Sequence, residues 1–219
     1  MKSVVIYPSY ECNLACSYCW VQNKGFTQGL THSLDEWADI LQEKDILVDI
    51  VGGEPTLLDG LYEFCTKLPK WAMTTNMVDF DVLRGFAWKP LHNCIGIIGS
   101  WHEQMEWKTF LGRVLALRGA GYNASWSYVS PHIKPLSDDG AENPLIELEP
   151  TMVKPRMCNA GERHVSITPN GDIYRCQVFQ MIGLAKGNLF TDGLIWDEAK
   201  ECCLSCIPCY NQRQFGVIR

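Results

Sequence analysis

The stretch YPSYECNLACSYCW, residues 7–20, decides how this sequence is read. Cys12, Cys16 and Cys19 fall within eight residues, and Trp20 follows. Just upstream, SVVIY (3–7) is a β-branched apolar run that reads as a buried strand. Three thiols on one loop at a strand end are soft ligands, suited to an iron–sulfur cluster or to zinc. Structural zinc asks for four ligands, and the nearest further donor, His32, lies beyond a glycine-containing loop. On a four-iron cluster, three thiolates leave one iron open to another ligand.

The composition is globular: 47% of the 219 residues are apolar and 20% are charged. That length suits one ordinary domain with a small appendage. The net charge is -6, and Lys and Arg form no basic stripe. A nucleic-acid polymer is therefore not an expected partner, although a single nucleotide or nucleoside is compatible. No apolar run has the length of a membrane span, and the N-terminus lacks a signal-peptide pattern. The expectation is a cytoplasmic protein with reduced thiols and no membrane partner. Eleven cysteines, an odd number, then point to metal or cluster ligation rather than to disulfides. Three lie in the first loop and six between Cys158 and Cys209, while Cys65 and Cys94 stand apart and read as core.

Along the chain, apolar runs alternate with amphipathic segments. THSLDEWADILQEK (31–44) reads as a helix with Ser33 as N-cap and Glu36 three residues on. Further strands are expected at 45–51, 71–76, 94–101 and 122–129, with helices at 57–67, 79–88 and 103–118. A sixth strand at 145–149 is flanked by Pro144 and Pro150. Such alternation implies a parallel sheet, which right-handed crossovers curl. Five or six units fall short of a closed eight-unit barrel. The expected fold is thus α/β, a partial TIM-like barrel over residues 1–150. Beyond it, HVSITPNGDIYRC (164–176) alternates around a Pro-Asn-Gly turn and reads as a β-hairpin. A short helical LIWDEAKEC (194–202) and a cysteine-dense tail complete a second unit, residues 151–219.

The C-x3-C-x2-C spacing, with aromatic Tyr18 before the third cysteine, resembles the signature of the radical S-adenosylmethionine superfamily. Gly52-Gly53-Glu54-Pro55 at the end of the second strand resembles that family's Gly-Gly-Glu motif. Thr74-Thr75-Asn76 resembles its third-strand terminus. All three motifs fall at C-terminal strand ends, where parallel α/β folds build their sites. The resemblance implies that Cys12, Cys16 and Cys19 hold a [4Fe–4S] cluster whose open iron takes S-adenosylmethionine. An electron from the cluster then cleaves this cofactor to a 5′-deoxyadenosyl radical, which abstracts hydrogen from a substrate. It also implies a redox-protein donor such as flavodoxin or ferredoxin. Tyr18 would lie against the adenine, Gly52, Gly53, Glu54 and Asn76 would bind the cofactor, and Ser100 would reach its ribose or carboxylate. His102 is a candidate for proton transfer. On the fifth strand, Trp126 and Tyr128 read as packing residues, and Ser125 and Ser127 take the other face.

CNAGERHVSITPNGDIYRC (158–176), with Gly187-Asn188 and a later C-x2-C, resembles the twitch domain, a shortened SPASM domain. It implies one auxiliary [4Fe–4S] cluster on Cys158, Cys176, Cys206 and Cys209, with Cys203 an alternative ligand and zinc the alternative metal. Relatives of this kind modify peptides, oxidise sugar alcohols or act on nucleotides. The first strand leaves no room for a leader-recognition domain before it, so the expected substrate is a small molecule or nucleoside, with a ribosomal peptide next. Two other readings are a glycyl-radical activase, whose usual plan lacks the cysteine-rich tail, and a non-catalytic iron–sulfur or zinc scaffold, which the intact Gly-Gly-Glu argues against.

Overall fold

The computed structural model describes residues 1–42, 45–129, 157–158, 162–176, 180, 183–197 and 200–201. The expected sixth strand at 145–149 lies outside them, as do Cys202, Cys203, Cys206 and Cys209.

Five parallel strands follow one another across the sheet: β1 (Lys2–Ile6), β2 (Ile46–Ile50), β3 (Trp71–Thr75), β4 (Cys94–His102) and β5 (Ala124–Val129). Each crossover is helical: α1 (Trp20–Asn23) and α2 (Leu34–Ile40), then α3 (Leu61–Lys67), α4 (Phe80–Trp88) and α5 (Trp107–Gly119). Ser33 caps α2 as expected. Its hydroxyl accepts from the Glu36 N–H at 3.2 Å, and the Glu36 carboxylate accepts from the Ser33 N–H at 2.8 Å. Leu34, Trp37 and Leu41 are buried against the sheet.

Three helical expectations shift. Residues 55–57 form a 3-10 turn and α3 begins only at Leu61, because Gly60 adopts a left-handed φ of 77° between them. β4 runs on to His102, so α5 starts late, capped by the Glu106 carboxylate on the N–H groups of Lys108 and Thr109. The segment 193–197 is not helical; the short helix is Leu189–Asp192, capped by Asn188. Lys200–Glu201 (β10) pairs antiparallel with Met157–Cys158 (β6).

The C-terminal hairpin is present as β7 (His164–Ile167) and β8 (Asp172–Tyr174), followed by β9 (Gly187–Asn188). It does not stand apart from the sheet. β7 pairs parallel with β1, from Ser3 opposite His164 to Ile6 opposite Ile167, giving the order β5-β4-β3-β2-β1-β7-β8-β9.

The register assigns the two faces. Val4, Ile6, Ile46, Val48, Ile50, Trp71, Met73 and Ile97 belong to one buried cluster with the helices. The alternate residues Thr74, Ile98, Ser100, His102, Ser125 and Ser127 are half-buried and share the opposite, concave face. Trp101 and Trp126 pack on Trp107 of α5, with ring centroids 5.1 and 4.8 Å away. That agrees with the reading of Trp126 as packing and of the serines as cavity-facing.

Candidate active site at the C-terminal strand ends

The cysteine loop leaves β1 and lies on the ends of the other strands. Its entry is clamped by Tyr7, Tyr10, Trp20 and Phe26, whose closest ring pair, Tyr10 and Phe26, stacks at 5.3 Å. Backbone bonds then dock it on the end of β2: Gly53 N–H donates to Ser9 C=O at 3.0 Å, and Glu54 N–H to Glu11 C=O at 2.8 Å. A Cβ on Gly53 would stand 1.9 Å from the Glu11 carbonyl oxygen, and one on Gly52, whose φ is 142°, 2.4 Å from that of Ser9. The two glycines are thus needed for close approach, but what approaches is the cysteine loop itself.

Glu54 is 3% exposed and fully engaged. Oε1 accepts from the Thr56 N–H at 3.0 Å and from the Thr56 and Thr75 hydroxyls at 2.7 and 2.6 Å. Oε2 accepts from the Asn76 N–H at 2.7 Å. Burial pushes its carboxyl pKa up, and these bonds oppose the shift. Glu54 therefore ties β2 to β3. The Asn76 side chain continues the link, donating to Asn13 Oδ1 at 2.7 Å and lying 3.9 Å from Cys12 Sγ. Met77, buried and left-handed at φ 59°, turns the chain after Asn76, and Arg113 of α5 holds its carbonyl at 2.6 Å.

The ends of β4 and β5 meet the same loop. Tyr18 donates its hydroxyl to the Val129 carbonyl at 2.8 Å and lies 2.8 Å from His102 Nδ1. His102 Nδ1 is 3.5 Å from Cys16 Sγ, and Gln104 Nε2 is 3.4 Å from it. Burial lowers the His102 pKa. Ser100 shares its face, and its hydroxyl bonds to no described residue. One loop thus gathers the ends of β2, β3, β4 and β5, as a curled sheet requires.

Solved structures have this architecture. SuiB of Streptococcus suis bound to S-adenosylmethionine matches with a TM-score of 0.55 and 18% identity, over 97% of this chain and 68% of that one. BtrN in complex with AdoMet and 2-DOIA matches with a TM-score of 0.58 and 16% identity, over 86% and 78%. SuiB bound to precursor peptide SuiA matches with a TM-score of 0.52 and 18% identity, over 90% and 64%. The chain shares the fold of these proteins. No protein-family model matches the sequence, and no curated protein matches it significantly.

The donor chemistry around the thiols suits a cluster. N–H groups lie near the sulfurs: Leu14 N–H 3.4 Å from Cys12 Sγ, and the Gln104 amide beside Cys16. Such donors accompany cluster thiolates and tune them. Among the described residues, no three His, Cys, Asp or Glu side chains gather around a single ion point. A four-iron cluster takes its thiolates on separate irons, and so takes them further apart.

Of the second cysteine set, Cys176 is buried just past β8 and Cys158 lies on β6, opposite Lys200. Cys206 and Cys209 fall outside the described residues. Gln180 links this region to the first loop. Its N–H donates to the Cys176 carbonyl at 3.1 Å, and its side-chain amide to the Tyr10 hydroxyl at 2.8 Å.

Sequence reasoning missed Thr56, Thr75, Asn13, Gln104 and Arg113. Thr75 stood inside the recognised Thr-Thr-Asn. Thr56 lies two residues from Glu54, whose carboxylate caps the 55–57 turn. Asn13, Gln104 and Arg113 act across the fold and carry no local pattern.

Proposed function

We propose that this chain is a radical S-adenosylmethionine enzyme. The observation that carries the reading is the cysteine loop itself, docked on Gly52 and Gly53 and joined through Asn13 and Asn76 to Glu54, at the mouth of a fold shared with two proteins solved with that cofactor. Cys12, Cys16 and Cys19 hold the [4Fe–4S] cluster. When bound, the cluster and S-adenosylmethionine would supply one-electron reductive cleavage and hydrogen-abstraction chemistry. The chain's own task is positioning and exclusion of water. Glu54 and Asn76 fix the loop and, with Gly52, Gly53, Tyr18 and Ser100, form the cofactor's surroundings. His102 handles hydrogen bonds and protons at the same strand end.

Residues 151–219 form the auxiliary-cluster region, attached to the barrel sheet through β7, with Cys158, Cys176, Cys206 and Cys209 as ligands. The substrate is a small molecule or nucleoside. Half-buried Ser100, Ser125 and Ser127 on the concave face support that reading, because they offer small hydroxyl groups rather than a long apolar groove. A peptide substrate is the second reading, supported by the neighbour bound to a precursor peptide. An electron donor such as flavodoxin or ferredoxin completes the system.

Anaerobic reconstitution with iron and sulfide, followed by dithionite and S-adenosylmethionine, tests the proposal. Expected are about eight irons per chain and release of 5′-deoxyadenosine. A fully loaded protein that leaves the cofactor intact overturns the enzyme reading. About four irons together with bound zinc overturns the auxiliary cluster.

A further inference from the structure

The Met77–Val78 peptide unit, just past β3, is held at both ends. Arg113 Nη1, reaching across from α5, donates to the Met77 carbonyl at 2.6 Å and to the Val78 carbonyl at 3.1 Å. At the other end of the unit, the Val78 N–H donates to Asn76 Oδ1 at 2.8 Å. The C=O and N–H of a planar trans unit point opposite ways, so a grip on one aims the other. Met77 is fully buried at φ 59°, the one non-glycine among the described residues in the left-handed region. Such a conformation persists only where the surroundings enforce it. Here the Met77 N–H also donates to the Thr75 hydroxyl, at 2.9 Å.

The Val78 bond decides which way the Asn76 amide faces. A backbone N–H can only donate, so the amide atom turned to it is the oxygen. The nitrogen then faces the cysteine loop, where it donates to Asn13 Oδ1 at 2.7 Å and lies 3.9 Å from Cys12 Sγ. An amide nitrogen carries two hydrogens, one for each of these acceptors. Arg113, on an outer helix, thus controls through a single peptide unit a donor aimed at a loop cysteine.

We propose that Arg113 is a positioning residue which, by gripping the Met77 carbonyl, orients the Asn76 amide towards the Cys12 sulfur and so sets how readily the cluster on that loop is reduced. Asn76 thereby has a task besides surrounding the cofactor. The orientation of its amide follows from the protein's own hydrogen bonds. Only the effect on reduction rests on the enzyme reading above, through Cys12 as a cluster ligand.

The test is a redox titration followed by EPR, on the full chain reconstituted with iron and sulfide and without S-adenosylmethionine. Cys12→Ala identifies the first loop's signal by its loss. Arg113→Met should make this cluster about threefold or more harder to reduce at a fixed potential, because a donor on a ligand sulfur favours the electron-richer state. Asn76→Ala should do the same, and the double variant should go no further than Asn76→Ala alone. An unchanged potential in either single variant overturns the proposal. So do shifts that add in the double variant, since Arg113 would then act through its charge and not through Asn76. Arg113→Gln, neutral and shorter, carries the same comparison if Arg113→Met does not fold. A first loop that loads no cluster overturns the proposal together with the enzyme reading. A loaded cluster that leaves S-adenosylmethionine intact overturns that reading alone and leaves the titration standing.

Discussion

The Glu54 carboxylate accepts the backbone N–H of Asn76 at 2.7 Å, joining the ends of two strands whose motifs lie 22 residues apart. Glu54→Gln should break this joint. An amide offers one acceptor oxygen where the carboxylate offers two, so either the Asn76 or the Thr56 N–H loses its partner inside the protein. The expected cost is about 1–3 kcal/mol in urea unfolding, with weaker S-adenosylmethionine binding. Unchanged stability would show that the carboxylate is not committed to the fold.

Gly53→Ala should cost about 3 kcal/mol or more, because its Cβ would meet carbonyl oxygens of the loop backbone and not a yielding side chain. Iron content should fall with it, since the displaced segment carries the cysteines. Gly112, inside α5, has nothing within 4 Å of its Cβ position. Gly112→Ala should instead stabilise by about 0.5–1 kcal/mol. Urea midpoints of the two variants, measured together, separate steric conflict from a general intolerance of substitution.

His164 is buried beside Ser3, whose hydroxyl lies 3.0 Å from its Nδ1, and burial lowers its pKa from 6.5 to about 4. The folded state therefore resists protonation that the unfolded chain accepts. The contribution is fully present above pH 6.5 and is lost as pH falls towards 4. Between pH 7 and pH 5 the protein should lose about 2 kcal/mol of stability from this group. His164→Gln should flatten that part of the pH profile. A profile that keeps its slope would assign the loss to other groups.

Cysteine substitutions should separate the two clusters. Cys16→Ala should lower iron from about eight to about four per chain and abolish 5′-deoxyadenosine release. Cys176→Ala should also remove about four irons yet leave the cofactor-cleaving loop able to work. Identical losses of cleavage in both variants would count against two separate clusters.

The strands and the α2 cap were legible because their causes are local. β-branched runs, the Ser33–Glu36 spacing and the apolar stripe of α2 all act within a few residues. The cysteine, Gly-Gly-Glu and Thr-Thr-Asn motifs located the site for the same reason. The delayed starts of α3 and α5 were not legible. A glycine that turns left-handed at position 60 and a strand that overruns to His102 are decided by what packs around them. The resemblance assigns the two glycines to cofactor binding, and the structure puts the loop's own carbonyls against them. The Tyr18–Val129 bond spans 111 residues and leaves no trace in either neighbourhood. Nor does an alternating hairpin announce that one of its strands will join β1.

That last pairing has a kinetic meaning. Ser3 and His164 are 161 positions apart, and Tyr7 N–H, at the mouth of the cysteine loop, donates to Ile167 C=O at 2.9 Å. β1 is made long before β7, the strand that completes its pairing. Until then β1 is an open edge able to pair wrongly, and closing so long a contour is slow. Metal loading should therefore trail the synthesis of β7. Chains cut short of residue 164 should accumulate as an aggregating species that takes up little iron, even though every cysteine of the first loop is already present.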